Sequence, residues 1–131
     1  ANRWLPSDER GIPTDVEPVD GTPYDFREPR PIGDAQLDTG YTDLIRDLDG
    51  RARVTLHGPT GKPRVALWLD ENCGYVMAFT GDSLPEADRR RRGLGVEPMT
   101  CAPNAFQTGD GLRTLAPGES FASSWGLEPG E

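Results

Sequence analysis

The chain has 131 residues, a size that one domain fills, and carries a net charge of -8 with a pI near 4.6. That charge repels phosphate backbones and anionic lipid surfaces, which argues against nucleic-acid and membrane partners. Hydrophobic residues make up only 34% of a chain that holds 16 Gly and 13 Pro, so much of it should run as loop or extended connection rather than as long helices.

Residues 1–33 contain Pro6, Pro13, Pro18, Pro23, Pro29 and Pro31, which forbid long helices and interrupt strand ladders. Trp4, Val19, Tyr24 and Phe26 can each pin this turn-rich path to a neighbouring surface, so a layered loop is expected there. From residue 51 the pattern turns to period two. In "RARVTLH" Ala52, Val54 and Leu56 share one face while Arg51, Arg53, Thr55 and His57 share the other, the mark of a half-buried strand. "RVALWLD" is apolar on both faces and should lie inside a sheet. With "YVMAFT" these runs predict an antiparallel meander, turned by "GPTGKP" and "ENCG". "SLPEADRRRR" reads as loop. "LGVEPM" and "ESFASSWGL" are further strand candidates, and there is neither a repeat nor a convincing amphipathic helix. The predicted class is all-β and antiparallel.

Candidate chemistry is sparse. "GPTGKP" has the Gly-x-x-Gly-Lys part of a phosphate loop but lacks its spacing, its Ser or Thr and its helix, so a hairpin loop is the better reading. Arg89 to Arg92 read as a solvated run partly neutralised by Glu86 and Asp88, with a clamp on a sugar phosphate as the alternative. His57 ends a strand on its polar side before Gly-Pro, where an exposed turn residue is expected. Glu97 follows Leu94 and Val96 and precedes Pro98. It reads either as a partly desolvated base or as an ion-pair partner, for instance of Arg92. Asp38 in "QLDTGY" is either a ligand-binding carboxylate or a turn cap. Cys73 and Cys101 are expected to be free thiols, and with one His and no Cys-x-x-Cys pair neither metal nor cofactor is expected. No apolar stretch has the length of a bilayer span and no export signal is evident, which makes the cytoplasm the expected location.

The segments "SDERGIPTDVEPVDGTPYDFREPRPIG", "QLDTGYTDLIRDLDG", "AFTGDSL", "GVEPMTCAPNAF" and "LAPGE", in this order, resemble the aldose 1-epimerase family, the mutarotases. The resemblance implies an antiparallel β-sandwich of the galactose mutarotase-like type with a cleft for a hexose such as glucose or galactose. It implies interconversion of α and β anomers by general acid/base catalysis, with Glu97 as the base and Asp38 holding sugar hydroxyls. The family's general-acid His, a further His and an Arg come from segments upstream of anything in this chain, so residues 1–131 resemble the C-terminal part of a single such domain. Half a sandwich leaves an apolar face uncovered, which predicts pairing with an upstream half or self-association, and little activity alone. The alternatives are a non-catalytic carbohydrate-binding module and a hexose-6-phosphate epimerase.

Overall fold

In a computed structural model that describes residues 1–59 and 64–130, eight short strands form two antiparallel sheets. The strands are β1 (Arg3–Leu5), β2 (Glu17–Pro18), β3 (Asp38–Thr42), β4 (Ala52–His57), β5 (Arg64–Leu69), β6 (Tyr75–Phe79), β7 (Gly95–Met99) and β8 (Trp125–Pro129). One sheet has the order β2-β1-β3-β6-β7 and the other β4-β5-β8. A single helical turn, α1 (Ala105–Thr108), follows β7. No helix among the described residues is long and apolar enough to cross a membrane.

The period-two pattern explains the packing. Tyr41 of β3, Val76 and Ala78 of β6 and Val96 of β7 point to one side of the five-stranded sheet, where they gather with Val19, Trp4, Tyr24 and Val54. From the other sheet, Ala52 of β4 and Leu67 and Leu69 of β5 gather with Cys73, and Val96 packs against them. Val54 and Val96 therefore each reach across to the opposite sheet, which makes the pair an all-β sandwich. As its two apolar faces require, β5 is the central strand of its sheet: Leu67 and Leu69 enter the core while Trp68, on the outer side, lies 3.9 Å beneath the Arg51 guanidinium.

The N-terminal path is layered as expected, and it also contributes two strands. Trp4 stacks on Tyr24 with ring centroids 4.0 Å apart, Val19 is buried, and Phe26 lies under the Arg30 guanidinium. The short β2 ends on Pro18 at the sheet edge, where a missing N–H costs no ladder bond.

The meander expectation holds only in part. β4 and β5 pair from Ala52 opposite Leu69 to His57 opposite Arg64, but β6 pairs with β3 and β7 in the other sheet. Residues 70–74 are a crossing between sheets, because partners elsewhere satisfy their polar groups. The Arg46 guanidinium donates to the carbonyls of Asp70 at 3.0 Å and Cys73 at 2.9 Å. The Asp70 carboxylate accepts from the Ser124 N–H at 2.6 Å. Buried Cys73 then anchors the crossing in the core, and both thiols are free. Residues 60–63 of "GPTGKP" lie outside the described residues. Of "ESFASSWGL" only Trp125 onward is strand; residues 119–124 are irregular and are held in part by Asn72, whose side-chain amide donates to the Ala122 carbonyl at 2.8 Å.

Candidate functional site

Strand register decides which side chains meet. Gly40 pairs with Met77 and Met77 with Glu97, while Asp38 pairs with Phe79 and Phe79 with Gly95. These positions alternate with the core-facing Tyr41, Val76, Ala78 and Val96, so Asp38, Met77, Phe79 and Glu97 all share the face of the five-stranded sheet turned away from the core. The two carboxylates stand two strands and two residues apart, roughly 12 Å between backbone positions on strand spacing and rise alone. They share a face without touching.

Both acids are exposed. The expectation of a partly desolvated Glu97 is therefore corrected: β7 is the edge of its sheet, and its core-facing residues are Val96 and Pro98, which leaves Glu97 on the open side. Among the described residues no Lys or Arg forms an ion pair with Glu97 or Asp38. The pairing of Glu97 with Arg92 does not form, and both carboxylates remain available to accept hydrogen bonds from a ligand.

A cavity of about 400 Å³ opens beside Asp38, lined also by Trp4, Tyr24, Phe79, Asp8 and Asp82. Two of its carboxylates are already engaged. Asp8 is held by Arg10 at 2.9 Å and Asp82 by Arg91 at 2.7 Å, and its bonds to Thr80 and Arg91 keep the Asp82 carboxyl below its usual range. A second cavity, of about 260 Å³, lies beyond Phe79 and is lined by Leu84, Arg89, Arg91 and Leu94. Glu97 lines neither cavity. Trp4 Nε1 and Tyr41 Oη are buried without a hydrogen-bond partner among the described residues, and burial pushes the Tyr41 phenol upward.

The remaining sequence candidates fall elsewhere. His57 is exposed at the end of β4 in the other sheet. All four of Arg89 to Arg92 are exposed, as a solvated run requires, but their partners differ. Arg89 makes a loose contact with Glu86 at 3.9 Å, Arg90 donates to the Leu84 carbonyl at 2.6 Å, and Arg91 is tied to Asp82. Among the described residues no three His, Cys, Asp or Glu side chains converge as a metal site would need.

The family model described as aldose 1-epimerase matches residues 1–128. The chain belongs to the aldose 1-epimerase family. This family member is 31% identical over 119 residues to "Uncharacterized protein YihR" of Escherichia coli (strain K12), an alignment that covers 91% of this chain and 35% of that protein. It thus spans about a third of the relative's length. No solved structure matches it. What sequence reasoning missed in this epimerase-family chain is Phe79, Asp82 and Arg91 beside Asp38; their only signal was the quoted "AFTGDSL" and a run of four identical arginines.

Proposed function

We propose that the protein is a mutarotase that interconverts the α and β anomers of a hexose. The observation that carries this reading is the placement of Asp38 and Glu97, both exposed and without ion-pair partners among the described residues, on one open sheet face with Phe79 and Met77 between them. A sugar bridging that span rests its apolar ring face on Phe79 and presents hydroxyls at both ends. Asp38 accepts hydrogen bonds from ring hydroxyls. Glu97 takes the proton of the anomeric hydroxyl; the C1–O5 bond breaks as an acid protonates O5, C1 becomes a carbonyl, rotation exposes its other face, and the steps reverse. The acid is proposed to come from a part of the domain outside this chain, because the one His present, His57, lies in the other sheet.

On this reading residues 1–131 are the C-terminal part of one sandwich domain. The partner proposed for the uncovered apolar stretch of the three-stranded sheet is the upstream part of that domain, in keeping with the short share of the relative that the chain spans. Sedimentation of the isolated chain as a concentration-dependent dimer would instead assign that cover to a second copy.

The deciding experiment is magnetisation-exchange NMR between glucose or galactose anomers with the complete gene product. Glu97→Gln keeps shape and removes the base, so exchange is expected to fall by about 10²–10⁴-fold while sugar binding persists. Undiminished exchange in that variant overturns the assignment of Glu97. Binding without any exchange in the unaltered protein points to a carbohydrate-binding module.

A further inference from the structure

The strand that carries Asp38 is gripped just before it begins by a chain of bonds that no catalytic step uses. The Leu37 N–H donates to the Thr80 hydroxyl at 2.9 Å, and the Thr80 N–H donates back to the Leu37 carbonyl at 2.9 Å, so one residue at the end of β6 satisfies both backbone groups of the residue preceding Asp38. Leu37 and Thr80 are both buried, 4% and 3% exposed, so this clamp works where water does not compete. The Thr80 hydroxyl in turn donates to the Asp82 carboxylate. Asp82 accepts at its other oxygen from Arg91 Nη1 at 2.7 Å. Arg91 closes the loop by donating to the Ala35 carbonyl at 3.1 Å and to the Gly33 carbonyl at 2.7 Å.

One guanidinium therefore holds two carbonyls of the segment leading into β3 and the carboxylate that orients Thr80. Arg's planar fork suits such a task, and a lysine, with a compact charge at the end of a flexible stem, cannot hold all three acceptors in one plane. The backbone of Arg91 itself sits in the left-handed region, at φ 53°, which a non-glycine residue adopts at some cost. Next to Asp82, Gly81 stands at φ 78°, and a Cβ there would come within 3.2 Å of Leu84 and 3.5 Å of the Arg91 backbone nitrogen. The loop is thus built to bring Arg91 back over residues 33–35.

We infer that Arg91, acting through Asp82 and Thr80, is a positioning residue that fixes Asp38 for binding the sugar. The inference rests on the proposed role of Asp38 and gives one of the four consecutive arginines a task of its own. A carboxylate that accepts from ring hydroxyls in ground and transition states alike contributes to binding more than to turnover, so loosening it raises KM and leaves kcat nearly unchanged.

The test is anomer-exchange kinetics on the complete gene product with Arg91→Ala, Arg91→Lys, Asp38→Asn and the double variant Asp38→Asn with Arg91→Ala. Arg91→Ala is expected to raise KM about tenfold at nearly constant kcat, in line with the loss of charge-assisted bonds, and Arg91→Lys to recover part of the loss. On the Asp38→Asn background the Arg91 change should add almost nothing. Additive KM effects, or a fall in kcat with KM unchanged, would overturn the inference, because a merely structural arginine acts independently of Asp38. If Arg91→Ala fails to fold, the Arg91→Lys and Asp38→Asn cycle carries the same decision. An Asp38→Asn variant with unchanged KM defeats the reading of Asp38 and not only that of Arg91, and an unaltered protein without exchange defeats the functional proposal itself.

Discussion

Each sheet leaves part of a face in contact with solvent, and the two exposures are chemically unlike. On the five-stranded sheet the open face mixes Asp38 and Glu97 with Met77 and Phe79, and the core lies behind it. On the three-stranded sheet the exposed stretch comprises Leu56, Val65, Trp125 and Leu127, which register places on the same side as buried Leu67 and Leu69. The first is the outside of a finished layer. The second is a core side that runs on past its cover, and the contrast shows that exposure marks chemistry only where polar groups accompany it.

The largest expected effect compares two leucines on that side. Leu69 is 0% exposed and Leu127 is 62% exposed. In urea unfolding, Leu69→Ala should cost about 2–5 kcal/mol through lost transfer energy and a residual cavity, whereas Leu127→Ala should stay within about 0.5 kcal/mol. Equal costs would break the comparison, since they would mean that Leu127 is covered in solution. Repeating the pair on the complete gene product sharpens it: there the Leu127 change should approach the Leu69 change.

A second pair sets the same substitution on both sheets. A Cβ on Gly126 of β8 would stand 2.7 Å from Trp68 Nε1, and the Arg51 guanidinium packs on the same indole at 3.9 Å, which restricts how far the ring can yield. A Cβ on Gly40 of β3 would meet the Leu5 side chain, with its terminal methyl nearest at 3.0 Å. Gly126→Ala should destabilise by about 1–3 kcal/mol as overpacking does, and it should shift the tryptophan emission. Gly40→Ala should cost less, because the clash is milder and meets a flexible aliphatic side chain, buried Leu5, rather than an indole, and because the unfolded chain loses freedom. A larger cost at Gly40 would show that the open face of the five-stranded sheet is the tighter of the two.

What the sequence made legible follows the range of the interactions involved. β4 announces itself by alternation and β5 by a run that is apolar on both faces, and both patterns lie within the strand itself. β3 does not: "DTGYT" has one large apolar residue, and it is buried because β1 and β6 flank it. The segment after β5 has the local composition of a hairpin turn yet crosses between sheets, because the donor that satisfies it, Arg46, lies 24 residues away from Asp70. The site divides in the same way. The chemical types of Asp38 and Glu97 could be picked out from local motifs, but their common face depends on the order β3-β6-β7, which no window of sequence contains. Nor could a run of four arginines reveal that Arg91 alone reaches residues 33 and 35.

The smallest effect separates the polar surfaces of the two sheets by pH. On the outer face of the three-stranded sheet Arg53 meets Asp49 at 2.8 Å, Asp47 at 2.6 Å and Glu128 at 3.1 Å. The bond from Arg53 holds Asp49 down to about 2 and Glu128 below its usual range. A carboxyl depressed in the folded state binds its proton more weakly there than in the unfolded chain. Its contribution is thus complete above the unfolded value and disappears as pH falls from about 4 to about 2. Arg53→Met removes the shared partner, so its melting temperature should lie slightly below that of the parent at neutral pH and converge with it in that acid window. Because these groups are exposed, 1 M salt should erase most of the difference by screening. Arg91→Ala, which releases Asp82, should show the same acid convergence and a similar sensitivity to salt, since its ion pair with Asp82 is also exposed. A difference for Arg91→Ala that survived 1 M salt undiminished would show that this ion pair is shielded from solvent, unlike the cluster around Arg53.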